Sequence, residues 1–405
     1  MGKSSQLNKL PTIYILALAA LGGGLSGGDR IFIELARNLS KNNSVVIFVW
    51  EEGLLMCQRE KLKGSNLQIK LAKVGSIAKL GFIITYLYRI FLGLKLGLTL
   101  QIKEKDLVYS ASEFWMDSFL AFLLKFRNPK IKWIAAWFQT APSPLKGFTE
   151  GKRKRIYRLE TFLYWFMQQP VKPLITRFAN YVLVNNETEK KQFPKLMKQN
   201  RAIVIGAGIN IKAILKYLKT HKYPKTKEYL AVFQGRFHPQ KGVVELIDIW
   251  KLVTRKVPDA KLAMIGDGPL MGAVKKRIKE LYLQNNIELF GYLHDGDKKY
   301  SIFQRSYIVV HPSFYDSGGM AAAEAMAFGL PCVGFDLKAF QYYYPKGFIK
   351  VPTYDSTLFA HTIISLFQNK LLYKKIAAEA KDMVLKNYSW ENKTADIAAL
   401  LQYEN

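Results

Sequence analysis

DSGGMAAAEAMAFGLP, residues 316–331, sets one acid ahead of a glycine pair and a second, Glu324, inside the small-residue helix that follows. Glycine pairs let the backbone turn sharply, and a helix start leaves its first amides without intrahelical partners. Directly after the apolar segment SYIVVHPS, such a run reads as strand, turn and helix, the repeating piece of a parallel α/β sheet. With the helix starting near Gly319, Glu324 stands about 7 Å along its axis, and its side chain leans back towards the start. A carboxylate placed there accepts two hydrogen bonds from a diol beside an anion at the helix mouth. Gly329 and Pro331 end the helix by ordinary stop chemistry.

Working outward, the same alternation surrounds this stretch. YLAVFQG, GVVELIDIWKLVTRK, AKLAMIGDGP, NIELFGYL, SYIVVHPS and PCVGFD alternate strand-like and helical spacing. An earlier run, TIYILALAAL, GGGLSGGDR, IFIELARNLSKN and SVVIFVW, makes a strand, a glycine turn, a helix and a strand. The lysine-rich IKAILKYLKTHKYPKTKEY, with Pro224, reads as the connection between the two runs. The chain of 405 residues, 49% apolar and 22% charged, is long enough for two domains with full cores. The expected fold class is therefore α/β, with two doubly wound parallel sheets and no fixed-period repeat.

Composition narrows the setting. Two distant cysteines, Cys57 and Cys332, make neither a disulfide framework nor a zinc site, which points to a reducing, cytoplasmic compartment. The apolar run near the start continues straight into a glycine turn and helix, so it reads as a buried strand and not as a signal peptide. MGKSSQ has Gln6 where a myristoylation signal needs Ser or Thr. The net charge of +29 draws the protein to phosphate polymers and anionic lipid alike. Residues 1–205 carry roughly +19 of it and residues 206–405 roughly +10. The densest cationic run is GKRKRIYR, residues 151–158, read as a solvated helix face, as a contact for lipid head groups or as a contact for nucleic acid. Residues 80–100, LGFIITYLYRIFLGLKLGLTL, have the length of a membrane span, but Arg89, Lys95 and three glycines argue for a buried or membrane-surface helix. ETFLYWFMQQPVKPLITRFANY, residues 160–181, leaves the same two alternatives.

Ligands of doubly wound sheets bind beyond the carboxyl ends of strands, where glycine turns admit the backbone to close range. Three such turns stand in those places: Gly27 and Gly28, Gly266 and Gly268, and Gly318 and Gly319. Between the first strand and helix of the second run, QGRFHPQKG carries Arg236 and Lys241. A guanidinium fork and a mobile ammonium in one loop suit a diphosphate that gains charge as it departs.

GRFHPQKG, IGDGP, the acid–seven–acid run from Asp316 to Glu324, EAMAFGLP and YSWEN resemble the retaining, nucleotide-sugar-dependent glycosyltransferases of family 4, with the GT-B fold. The strong match covers residues 231–337; the first run matches more loosely through GGLSGGDR. The resemblance implies two facing Rossmann-like domains: an acceptor-binding one over residues 1–205, a nucleotide-sugar-binding one over 206–385, and a helix over 386–405 packing back on the first. It implies a catalytic group of Asp316, Arg236 and Lys241, with Arg236 and Lys241 on the donor diphosphate and Asp316 on the sugar hydroxyls. Glu324 would hold the ribose, Gly319 and Met320 would offer backbone amides, and Gly27, Gly28 and Gly266 would line the donor. The donor would be a UDP- or GDP-sugar, with no cofactor, and the departing phosphate would help take the acceptor proton. Asp295-Gly-Asp297 matches the metal-holding Asp-x-Asp of a different fold, but in this loop it reads as a plain turn, and no metal is expected.

Two departures stand out. The family pattern has Glu where this chain has Asp316. Its N-terminal histidine is absent, since all five histidines lie at or beyond His221. Phe138 and Gln139 occupy that region, with Gln139 the polar candidate on the acceptor side; His238 and His311 read as structural. The basic, aromatic first domain suggests a lipid-linked or glycan acceptor, with the protein peripheral on an anionic membrane at its cytoplasmic face. Three alternatives stay open: a soluble transferase acting on a free sugar or polysaccharide, a sugar-nucleotide epimerase, and a basic nucleic-acid-binding protein. The charge alone supports the last, which leaves the acid pair unexplained; no nucleic acid is expected as partner.

Overall fold

The computed structural model describes residues 11–21, 25–145, 158–206, 208–316 and 318–402. By its internal contacts the chain forms two units. Unit 1 holds the residues up to Ala141, Leu163–Ile205 and the end of the chain from Thr394; unit 2 holds Pro142–Phe162 and Gly206–Lys393. Most of the cationic run at residues 151–158 lies outside the described residues.

Unit 1 is built on seven strands: β1 (Thr12–Leu16), β2 (Ser44–Val49), β3 (Leu67–Leu71), β4 (Leu107–Ser110), β5 (Lys132–Trp137), β6 (Tyr181–Val184) and β7 (Ala202–Val204). They form one sheet in the order β3-β2-β1-β4-β5-β6-β7. Every pairing is parallel, with Ile15 of β1 in register with Ile47 on one side and Tyr109 on the other. Segments such as SVVIFV and LVYS are apolar but for a terminal serine because helices cover both faces of such a sheet. Among those helices are α1 (Gly27–Leu39), α2 (Glu51–Arg59), α3 (Phe82–Thr99), α4 (Trp115–Arg127) and α5 (Arg158–Phe178). The last helix, Trp390–Gln402, places Ile397 with Ile13, Leu35 and Ile134 in the core of unit 1.

Unit 2 repeats the plan with β8 (Tyr229–Gln234), β9 (Leu262–Ile265), β10 (Ile287–Gly291), β11 (Ser306–His311), β12 (Cys332–Phe335) and β13 (Phe348–Val351). Their order is β10-β9-β8-β11-β12-β13, again all parallel, which renumbered within the unit is the Rossmann order 3-2-1-4-5-6. Alternate side chains of each strand feed the two faces: Val232 and Val309 enter one core, Phe233 and Val310 the other. The strand order reverses between β8 and β11, so the loops leaving those two strands flank a crevice.

Two segments differ from their sequence reading. The supposed connection is helical over Ile211–Thr220, capped by Asn210, whose side chain accepts from the Ala213 amide. Ile211, Ile214 and Tyr217 are buried at helical spacing, and the lysines between them occupy the outer face. Residues 82–99 form a helix whose inner stripe is Thr85, Arg89, Gly93 and Gly97, with Tyr86, Ile90 and Leu96 half-buried beside it, while Ile83, Leu87, Phe91 and Leu98 face outwards. The glycines permit contact with α4 at backbone range: a Cβ on Gly93 would lie 2.7 Å from the Met116 carbonyl oxygen. Gly93→Ala is therefore expected to destabilise the protein by about 1–3 kcal/mol despite the better helix propensity of alanine, read as a lower urea midpoint.

Candidate active site

In unit 2 the site starts from a close approach of two loops. After β8 the chain runs through Arg236 into a short turn, Pro239–Lys241, and Gly242 opens the next helix at φ +62°. A Cβ on Gly242 would stand 2.1 Å from the Pro312 carbonyl oxygen, in the loop after β11, so only glycine fits. The Phe314 amide donates to the Gln240 carbonyl at 2.7 Å and locks the two loops together. The loops after β8 and β9 meet as tightly, since a Cβ on Gly266 would strike the Gly235 carbonyl oxygen.

These approaches bring Lys241 to Asp316. The Lys241 ammonium donates to Asp316 Oδ2, which also accepts from His311 Nε2 at 2.9 Å. Oδ1 accepts from the Gly318 and Gly319 amides at 3.2 and 3.1 Å. Burial alone would raise this carboxyl; the Lys241 charge and the His311 hydrogen bond outweigh it and hold Asp316 well below the usual carboxylate range. Burial depresses His311, against the hydrogen bond to Asp316, which raises it. Gly319, at φ +54°, packs under Phe340 and Tyr344, and the Tyr344 hydroxyl donates to its carbonyl at 2.7 Å. Met320 begins the helix Met320–Met326. Arg236 is exposed and forms no ion pair among the described residues.

Glu324 lies deeper on that helix and is buried. Its Oε2 accepts from Gln234 Nε2 at 2.8 Å and from Lys299 Nζ at 2.7 Å. Lys299, with a side chain only 2% exposed, joins Glu324 to Asp295. Sequence reasoning missed Lys299. Its one signal is the four-residue spacing from Asp295, in a loop that looked like solvated turn residues. Of the two acids in Asp295-Gly-Asp297, the first belongs to this bridge and the second starts the helix Asp297–Gln304.

In unit 1, Gly27 and Gly28 form the first turn of α1, behind a capping box between Ser26 and Asp29. A Cβ on Gly28 would sit 3.4 Å from the Phe138 ring. Gln139 follows β5; its carbonyl accepts from the Tyr164 hydroxyl at 2.9 Å and Gln168 Nε2 at 2.7 Å, while its own buried Nε2 has no hydrogen-bond partner among the described residues. Buried acids surround this strand end. Glu113, after β4, accepts from the Tyr164 hydroxyl, and Glu189 accepts from the Thr140 amide at 3.1 Å. Burial pushes Glu189 up to about 7, aided by Glu113, which burial also raises. Asp117 is fully buried and likewise at about 7; it accepts from the Leu18 amide at 2.7 Å. Arg89 Nε donates to the Leu18 carbonyl at 2.8 Å and its guanidinium lies over Trp50. None of these acids stood out in the sequence, because each sits a few residues beyond a strand whose own pattern is mostly apolar.

Two doubly wound parallel sheets and these strand-end sites define the class: the fold is GT-B, that of many glycosyltransferases. Residues 217–383 match the family glycosyl transferases group 1. The poly(glycerol-phosphate) alpha-glucosyltransferase of Bacillus subtilis is 28% identical over 41% of this chain and 25% of its own length. The phosphatidyl-myo-inositol mannosyltransferase of Mycobacterium leprae is 22% identical over 73% of this chain and 76% of its own. The chain thus spans a quarter of the first relative and about three quarters of the second. Among solved structures, Anabaena HepE in complex with UDP and glucose superposes with a TM-score of 0.70 over 97% of this chain and 100% of its own, at 16% identity.

Removing Lys299 leaves Glu324 a buried acid without its ammonium. Lys299→Met is expected to lower stability by about 3–5 kcal/mol in urea titration, with partial recovery when Glu324→Gln is added. Asp117 tests the other sign. A carboxyl raised from its unfolded value to about 7 binds more protons in the native state, so its contribution is full below about pH 4 and is lost as pH rises to about 7. Urea titrations at pH 4.5 to 7.5 should show the wild type losing stability relative to Asp117→Asn across that window.

Proposed function

We propose that the chain is a retaining family 4 glycosyltransferase. It moves a hexose from a UDP- or GDP-sugar to a hydroxyl of a lipid-linked glycan or glycolipid at the cytoplasmic face of a membrane. The observation that carries this reading is the Lys241–Asp316 pair at the switch point between β8 and β11, with Arg236 open to solvent in the same loop as Lys241. Arg236 and Lys241 supply the positive charge that a pyrophosphate needs as the bond to the sugar breaks, the task a metal performs in other enzymes. Asp316, ionised and held by four donors, presents a fixed acceptor for sugar hydroxyls. Glu324, oriented by Gln234 and Lys299, accepts from the ribose diol.

The reaction then needs no carboxylate nucleophile. The bond from the anomeric carbon to the phosphate oxygen breaks, the acceptor oxygen bonds to the same face of that carbon, and the acceptor proton passes to the departing phosphate. Gln139, with its unsatisfied amide, and the acids Glu113 and Glu189 belong to the acceptor side in this reading. The UDP and glucose of the HepE complex and the lipid substrate in the name of the mycobacterial relative support the donor and acceptor classes.

A thermal-shift panel of UDP, GDP and ADP with their sugars tests the donor, because a ligand of the native state raises its melting point by mass action. One nucleoside diphosphate should stabilise the wild type. Arg236→Ala and Lys241→Ala should each weaken it about 10- to 100-fold, the worth of one charge-assisted hydrogen bond. A free altered sugar released without any acceptor would point to an epimerase instead.

A further inference from the structure

We propose that α3 is the membrane-docking element of this protein: its outward face seats in the acyl layer of an anionic membrane with the helix lying in the membrane plane. The inference rests on the membrane-face reading above and gives it a surface and a binding mode. It starts from an inversion. A surface helix of a soluble domain turns its large apolar residues inwards, but α3 buries Thr85, Arg89, Gly93 and Gly97 and exposes Ile83, Leu87, Phe91, Leu94 and Leu98. Ile83 is 72% exposed and Leu98 61%. Small residues at the closest-packed positions, flanked by half-buried Tyr86, Ile90 and Leu96, with a continuous stripe of large apolar residues outside, are the arrangement of a helix whose outer solvent is lipid.

The helix does have the length and hydropathy of a span. Arg89 argues against that role. Its side chain, 3% exposed, donates to the Leu18 carbonyl and stacks over Trp50, so α3 is tied into unit 1 at its middle. A helix fixed on one side and apolar on the other lies on a bilayer without crossing it.

Charge selects the lipid. Residues 61–103, which contain α3, hold eight lysines and arginines and no Asp or Glu. Exposed Lys79 and Lys95 sit beside the apolar face, placed for phosphate head groups while their neighbours enter the hydrocarbon. The same charge disfavours a second copy as the occupant, since two such faces would repel one another.

The test uses the full chain with vesicles of phosphatidylcholine alone or mixed with phosphatidylglycerol. The wild type is expected to sediment with the anionic vesicles, and Phe91→Trp to be quenched by lipids brominated in their acyl chains. The pair Leu87→Glu and Phe91→Glu should lose at least tenfold in vesicle affinity while keeping the wild-type melting point and its nucleotide shift. Unchanged binding by that double variant, absence of quenching, or no binding by the wild type overturns the proposal. So does a wild-type dimer in light scattering that the double variant dissociates, because the face would then belong to a second copy. The nucleotide arm separates failures: a nucleotide shift without vesicle binding sinks α3 alone, and vesicle binding without a nucleotide shift sinks the transferase.

Discussion

Two backbones can approach to contact only where no Cβ stands between them, and the unit 2 site depends on that constraint. Gly242 against Pro312 sets the loop after β8 on the loop after β11, and Gly266 against Gly235 does the same for β9. Lys241 and Asp316 meet as a consequence. Neither would be stable in a buried position alone, since each removes a full charge from water. Together, with His311 and two glycine amides completing the carboxylate's hydrogen bonds, they form a rigid ionised centre at a point where the sheet topology leaves a crevice. Glu324 follows the same rule further in, where Lys299 and Gln234 satisfy it.

Unit 1 solves its strand ends differently. Acids there are raised by burial, which outweighs the nearby cations Arg89 and Lys172: Asp117 and Glu189 both stand at about 7. One strand-end site is thus committed to fixed charge, which suits holding an anion beside cations. The other carries buried carboxyls raised to about 7, near neutral pH. The two sheets share a strand order and have opposite electrostatic characters.

The helix α3 joins these chemistries to the exterior. Arg89 serves the inside of unit 1 by pinning the loop after β1, through Leu18, close to Asp117. That inward commitment leaves the stripe from Ile83 to Leu98 of an apolar helix facing the outside. The inside-out pattern follows from anchoring a strand end with a long cation on a helix that has no acid of its own.

The sequence by itself determined the α/β class and the glycine turns at strand ends, and it placed Arg236, Lys241, Asp316 and Glu324 in the loops and helix at those ends, because these depend on local spacing and on residue types with few structural alternatives. It left open whether residues 80–100 were buried or faced a membrane, since hydropathy carries no information on which side of a helix meets the protein. Lys299, Tyr344, Glu113 and Asp117 were decided only by the tertiary structure. Their roles come from partners 25 to 99 residues away in the chain, such as Glu324 for Lys299 and Leu18 for Asp117, and no local pattern records such a partner. A charge becomes functional or structural according to what it is buried against, and burial is a property of the folded chain.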